Sequence, residues 1–357
     1  MKKHLFLAAV VGMALTGCVN EESENLTQQQ TRKISFDTPV MGIQSRAGEI
    51  TGEIKGTDYP ESESFVVYAK QYAGNFTNWS NGTDFWDGGL ATSKDGDTWE
   101  TEDDYYWPPT GYTLTFAAYS PATLPTGASA SYGIDGLTVT GFDVTGKVDL
   151  MYSGRIIDQT SNVGENGVSV VFKHALSSVV FSAIDADDNA SYKITALSVS
   201  GPFIKTGTFK ENLADNGTEP NNQDWSELST AVTMTHEPSL GTGITVAAEA
   251  DPLVETPITQ NETAWLMIPQ TVDANATVTI SYTVTPTNGA PYNVTDKSIK
   301  LSEFKTTESA SITSWAMANR YKYIIKFGGG DRVKIVFAPS IAGWTEVDGG
   351  PATYTIQ

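Results

Sequence analysis

The sequence predicts an all-β protein, and three observations carry that prediction. Apolar and polar residues alternate at period two: Val278, Ile280, Tyr282 and Val284 interleave with Thr277, Thr279, Ser281 and Thr283, the pattern of a strand with one buried face. Segments rich in Thr, Val, Tyr and Ile are separated at short intervals by turns rich in Gly, Asn, Asp and Pro. No long stretch carries the 3.6-residue period of an amphipathic helix. Packed β-sandwiches are the expected architecture.

The N-terminus reads as an export leader. Lys2 and Lys3 precede an apolar run from Leu5 to Leu15, too short at about 11 residues to span a bilayer as a helix. Cys18, the one cysteine, closes Leu15-Thr16-Gly17-Cys18. These residues resemble the lipobox of bacterial lipoproteins; an ordinary signal peptide that happens to contain a cysteine is the alternative. The resemblance implies cleavage before Cys18, a signal peptide over 1–17, and diacylglycerol and fatty acid (palmitate) on the thiol, with no other cofactor. Residues 18–32 are polar and acidic and read as a flexible tether. Within them Glu21, Glu22 and Glu24 resemble the surface-export signal of Bacteroidota lipoproteins, or serve only as a soluble linker.

Further strands are expected around Leu114 and Phe116, over Val179 to Ile184, and where Val168, Val170 and Phe172 alternate with Ser169 and Val171. Tyr321, Tyr323, Ile325 and Phe327 alternate with Lys322 and Lys326, and Gly328-Gly329-Gly330-Asp331 suits a hairpin leading to Val333, Ile335 and Phe337. A length of 357 suits two domains of ~100–200 residues each. The charged turn Asp185-Ala186-Asp187-Asp188-Asn189 is the expected boundary, dividing the chain into 33–185 and 186–357.

Charge excludes several classes of function. Losing Lys2 and Lys3 with the leader takes the formal charge from -20 to -22. Such a chain does not suit nucleic acid, whose phosphates require clustered Lys and Arg, nor peripheral binding to anionic lipid, so a lipid anchor would do the membrane work. The 39% hydrophobic content supports packed cores, and a single cysteine allows no internal disulfide.

Catalytic and metal motifs are missing: there is no His-x-x-x-His or Cys-x-x-Cys spacing, no Gly-x-Ser-x-Gly elbow and no phosphate loop. No metal and no enzymatic activity are expected. The acidic cluster Glu100, Glu102, Asp103 and Asp104 lacks the spacing of a calcium loop and reads as a solvated turn beside an aromatic-rich edge strand. Core packing accounts for most tryptophans in small β domains, yet Trp79, Trp86, Trp99 and Trp107 lie close enough in sequence to be candidate contacts for a glycan or host protein. His174 reads as a structural histidine at a strand-to-helix corner.

An ordered series of short motifs points to one family. Ile34-Ser35-Phe36 is followed by Arg46-Ala47, Ser64-Phe65-Val66-Val67-Tyr68-Ala69, Tyr106-Trp107-Pro108 and Leu114-Thr115-Phe116-Ala117-Ala118-Tyr119-Ser120-Pro121. Asp149-Leu150-Met151-Tyr152, Val171-Phe172-Lys173-His174-Ala175-Leu176-Ser177 and Leu266-Met267-Ile268-Pro269-Gln270 complete it. The order and spacing resemble the fimbrillin, or Mfa-like, family of Bacteroidota surface lipoproteins, which includes the type V pilins.

The resemblance implies two tandem transthyretin-like β-sandwich domains on an outer-membrane, surface-exposed lipoprotein. It also implies cleavage by an arginine-specific protease, here at Arg46-Ala47. Residues 33–46 would then be a removable first strand with Ile34 and Phe36 facing the core, and a strand from another fimbrial subunit would fill the vacated groove. Retention of that strand in a monomeric, lipid-anchored binding module is the alternative. At the C-terminus, Tyr354 and Ile356 alternate with Thr353 and Thr355, making Ala352 to Gln357 a candidate donor strand. The expected role is a structural, tip or accessory subunit of a fimbria, acting in adhesion or biofilm formation.

Overall fold

A computed structural model describes residues 32–37, 40–44, 50–54, 59, 63–164, 167–214, 223–248, 254–259, 264–305, 311–328, 345–346 and 352–356. In the first half, β1 (Val40–Gln44) and β2 (Ile50–Ile54) pair antiparallel. After them come β3 (Val66–Ala73), β4 (Thr83–Asp84), β5 (Leu90–Asp95), β6 (Thr98–Thr101) and β7 (Tyr112–Ser120). A hairpin of β8 (Ser129–Gly133) and β9 (Gly136–Asp143) precedes β10 (Met151–Gln159) and β11 (Val171–His174). A nine-stranded sheet runs β2-β1-β11-β10-β7-β3-β5-β6, with β4 beside β3.

Period-two patterning sets its faces. Phe65, Val67 and Ala69 project with Leu114, Phe116 and Ala118 of β7 into one buried cluster, which also holds Ile34, Phe36 and Phe172. Val66 and Tyr119, pointing to the opposite face, join a second and larger cluster.

The second half begins with β12 (Ser177–Asp185), β13 (Ala190–Phe203), β14 (Thr206–Lys210) and β15 (Asp224–Ser226). It continues with β16 (Val232–His236), β17 (Ile244–Thr245), β18 (Glu255–Pro257), β19 (Trp265–Met267) and β20 (Gln270–Thr271). Last come β21 (Thr277–Pro286), β22 (Tyr292–Lys300), β23 (Ser314–Trp315), β24 (Asn319–Phe327), β25 (Thr345–Glu346) and β26 (Ala352–Ile356). One sheet has the order β18-β12-β24-β25, with β19 on β12 and β26 on β24; another runs β16-β13-β21-β22. Between the halves lies β15-β14-β9-β8, in which the early hairpin pairs with later strands. The protein is all-β, as the sequence predicts.

Val278, Ile280, Tyr282 and Val284 are all buried and the polar residues between them half-buried, so the alternation in β21 reads its buried face correctly. Two expectations, at β24 and at His174, need correction. β24 is flanked by β12 and β26 and covered on both faces, so Lys326 is buried and Lys322 sits half-buried against Glu255 at 3.1 Å. The Asp185–Asn189 turn joins β12 to β13 inside the second half, closed by the Asp187 and Asn189 amides on the Asp185 and Asp187 carboxylates. β12 pairs in parallel with β24. His174 ends β11 and leads into strand β12, not a helix; its Nδ1 lies 2.9 Å from Asp149. The expected hairpin partner at Val333 to Phe337 lies outside the described residues.

Candidate functional site

The segment 32–37 lies in a slot with backbone partners on both sides. Toward β6 and the chain after it, the Phe36 amide donates to the Trp99 carbonyl and the Trp99 amide returns the bond, both at 2.8 Å. The Ile34 amide donates to Tyr105 (2.7 Å), and the Trp107 amide to the Arg32 carbonyl (3.1 Å). On the other side, Asp37 donates to the Val168 carbonyl and Val168 to the Ser35 carbonyl, each at 2.9 Å. Gly167 makes that approach possible: at φ +93°, an added Cβ would lie 2.2 Å from the Ser35 carbonyl oxygen.

Side chains hold the segment from two directions. Ile34 and Phe36 are buried, and Phe36 packs edge-on against Phe116 with ring centroids 5.4 Å apart. At the rim, Lys33 pairs with Glu100 and with Asp104 at 2.7 Å. The Asp104 and Glu100 carboxylates hold the Lys33 ammonium above the usual lysine range, and Lys33 holds the Asp104 carboxyl below its own. Arg32 donates to the carbonyls of Ser161, Val163 and Gly164. Ion pairs exposed to solvent in this way contribute little, whereas burying an aliphatic or aromatic side chain is worth ~1.5–3 kcal/mol. The apolar anchors therefore dominate the seating.

These contacts revise one sequence reading: Arg32, expected in the tether, is anchored. The acidic cluster is the exposed turn expected at Glu102, Asp103 and Asp104, and Glu100 and Asp104 also pair with Lys33. Residues 1–31 lie outside the described residues, and so do Cys18 and the Arg46-Ala47 bond, which falls in the 45–49 connection between β1 and β2. At the other end, β26 runs parallel to β24, with Tyr354 opposite Ile325 and Ile356 opposite Phe327.

The four tryptophans separate into two groups. Trp99 and Trp107 are packed in the core, Trp99 with no exposed surface, and neither presents a face to a ligand. Trp79 and Trp86, nearly buried, back a cavity of about 470 Å³ between β3 and β8. Tyr68 and Tyr132 form its walls, with ring centroids 5.5 Å apart, and Trp79 lies 4.7 Å from Tyr132. Lys70 and Asp84 pair at its edge, 3.0 Å apart. Sequence clustering caught the two tryptophans but missed both tyrosines, because Tyr132 lies far along the chain and only the β8 hairpin brings it near. Among the described residues, no group of three or more His, Cys, Asp or Glu is placed to hold a metal ion, and no helix is long and apolar enough to cross a membrane.

With this geometry in hand, comparison with known proteins places the chain. A family model described as fimbrillin-like matches residues 56–344, so the chain belongs to the fimbrillin-like family. The match begins beyond the 32–37 segment. No curated protein matches in sequence. The fold is similar to the crystal structure of a fimbrial protein from Bacteroides vulgatus, with a TM-score of 0.53 at 19% identity over 83% of this chain and 94% of that one. A candidate cell adhesion protein from Bacteroides uniformis aligns over 82% of this chain and 93% of its own at 12% identity, but its TM-score of 0.39 is too low to carry an argument.

Proposed function

We propose that this chain is a structural, tip or accessory subunit of a cell-surface fimbria, delivered to the outer membrane by lipid on Cys18 and assembled by strand exchange. It acts in adhesion or biofilm formation through its β-sandwiches, with no catalytic step. The observation that carries this reading is the seating of residues 32–37, bonded through the backbone on both sides and pinned by Ile34 and Phe36. Cutting Arg46-Ala47 severs the covalent link between that segment and the body. Its departure leaves unpaired groups at Trp99, Tyr105 and Val168 above an apolar slot, which a strand from a neighbouring subunit fills. Tyr354 and Ile356 on β26 are the candidate donor residues.

Limited trypsin treatment of the full chain tests this. Clipping after Arg46 should produce ladders of SDS-resistant oligomers, and Ile356→Asp should abolish any ladder that uses the tail. Clean clipping with a persistently monomeric product refutes exchange. A monomeric, lipid-anchored binding module is the second reading, favoured by the aromatic cavity beside Trp79.

A further inference from the structure

The cavity between β3 and β8 has a chemistry of its own. Its volume of about 470 Å³ falls within the ~300–1,000 Å³ of small-ligand pockets. Its walls are the rings of Tyr68 and Tyr132, backed by Trp79, and its edge carries both a donor and an acceptor in Lys70 and Asp84. Gly89 keeps one wall flat, since an added Cβ there would come within 2.8 Å of the Tyr68 ring.

Charge narrows the class of ligand. Lys70 is already matched by Asp84 and also donates to the Gly82 carbonyl at 3.2 Å. An anion would find Lys70 already matched and the nearby Arg155 guanidinium committed to the carbonyls of Gly133, Ile134 and Ala214, on a chain whose formal charge is -20. A cation would find its ring-face positions taken: the Arg155 guanidinium lies 5.2 Å from the Trp79 ring centre and 5.9 Å from that of Tyr132, and Lys70 lies 5.5 Å from Trp79. A wholly apolar ligand would desolvate the ion pair without replacing its hydrogen bonds.

A ligand with apolar C–H faces and hydroxyls around its edge satisfies each condition. We infer that this cavity binds a neutral saccharide unit, its C–H face against the half-buried Tyr68 ring and its hydroxyls on Lys70 and Asp84. The walls lie within residues 68–132, apart from both the first strand and the tail, so the inference stands whether or not strands exchange.

Saturation-transfer NMR on the full chain carrying Cys18→Ser tests it, with neutral oligosaccharides and their sialylated or sulfated counterparts as probes. Neutral sugars should show transfer, and the anionic forms should bind no better. Lys70→Ala, which removes the donor at the cavity edge, should weaken binding about tenfold or more. Asp84→Ala, at a well-exposed carboxylate, should weaken it in the same direction. No transfer from any neutral sugar at millimolar concentration overturns the inference, as does binding confined to anionic glycans. Unchanged affinity in both variants overturns it too.

Discussion

Replacing Phe36 by alanine tests whether residues 32–37 form a seated strand. The ring is 1% exposed and meets Phe65 and Phe116 edge-on, with centroids 6.0 and 5.4 Å away. Truncating a buried phenylalanine forfeits its transfer free energy and leaves a cavity, together about 3–5 kcal/mol. The two edge contacts supply roughly 0.5–1.5 kcal/mol each of that total. Little collapse offsets the loss, because the bonds to Trp99 and Val168 fix the backbone on both sides. With a urea slope of about 2–3 kcal/mol/M, the unfolding midpoint should fall by about 1–2.5 M. Tryptophan fluorescence reports it, since Trp99 is bonded to the segment. Thr126→Ala, in an exposed loop, is the control and should stay within about 0.5 kcal/mol of the parent. A Phe36→Ala midpoint equal to the control's would refute the seating and, with it, the proposed groove.

Three further outcomes follow from the same geometry. Gly167→Ala places a Cβ against the Ser35 carbonyl at φ +93°; the backbone strain alone costs about 1–3 kcal/mol, and amide exchange at Phe36, Asp37 and Val168 should quicken, whereas unchanged protection would mean the segment lies elsewhere. Burial, with Tyr119 adding to it, pushes the Tyr68 phenol up to about 12. Folding favours its neutral form, so its contribution is whole below the ordinary value of ~10 and is lost as pH rises toward the folded one. Phenolate absorbance should show a late component that Tyr68→Phe reduces by one phenol, since Tyr59, Tyr119, Tyr192, Tyr282 and Tyr323 are raised as well; ionisation of every tyrosine near pH ~10 would contradict this. Cys18→Ser should move the protein from the membrane fraction to soluble material, and continued membrane association would sink the lipid anchor.

The sequence discloses local patterns well and long-range partners poorly. The alternation in β21 locates its buried face because a strand covered on one side must separate polar from apolar residues. The same alternation misleads at β24, where Lys322 and Lys326 look solvent-facing. Period two reports polarity, not whether a second layer covers the polar face, and here Glu255 and the neighbouring strands do so. The Asp185–Asn189 turn is legible as a turn, but whether a turn ends a domain depends on pairing between strands over a hundred residues apart. Ile34 and Phe36 are core residues, as the family resemblance implies. Gly167 is not readable as their counterpart, because its need for glycine comes from a carbonyl more than 130 residues earlier in the chain. The cavity fails for a related reason: tryptophan clustering mixes two core residues with two that back a pocket, and nothing local separates them.

Under the proposed exchange, the two chain ends place opposed demands on the same type of contact. β24 is paired on one side with β12 over eight residues, Arg320 to Phe327, and on the other with β26 over five, Tyr323 to Phe327. A tail that leaves to enter a neighbour forfeits that ladder, at ~0.5–1.5 kcal/mol net per hydrogen bond, against an intramolecular partner held at roughly millimolar effective concentration. The edge of β24 bonds the tail along one side. The slot around residues 32–37 bonds its occupant along both sides and buries two apolar side chains, at ~1.5–3 kcal/mol each. An emptied slot is therefore the stronger acceptor, while a slot still filled by its own strand offers a tail nothing. Exchange is then gated at the Arg46-Ala47 bond, since the tail gains by leaving β24 only after a neighbour's first strand has gone.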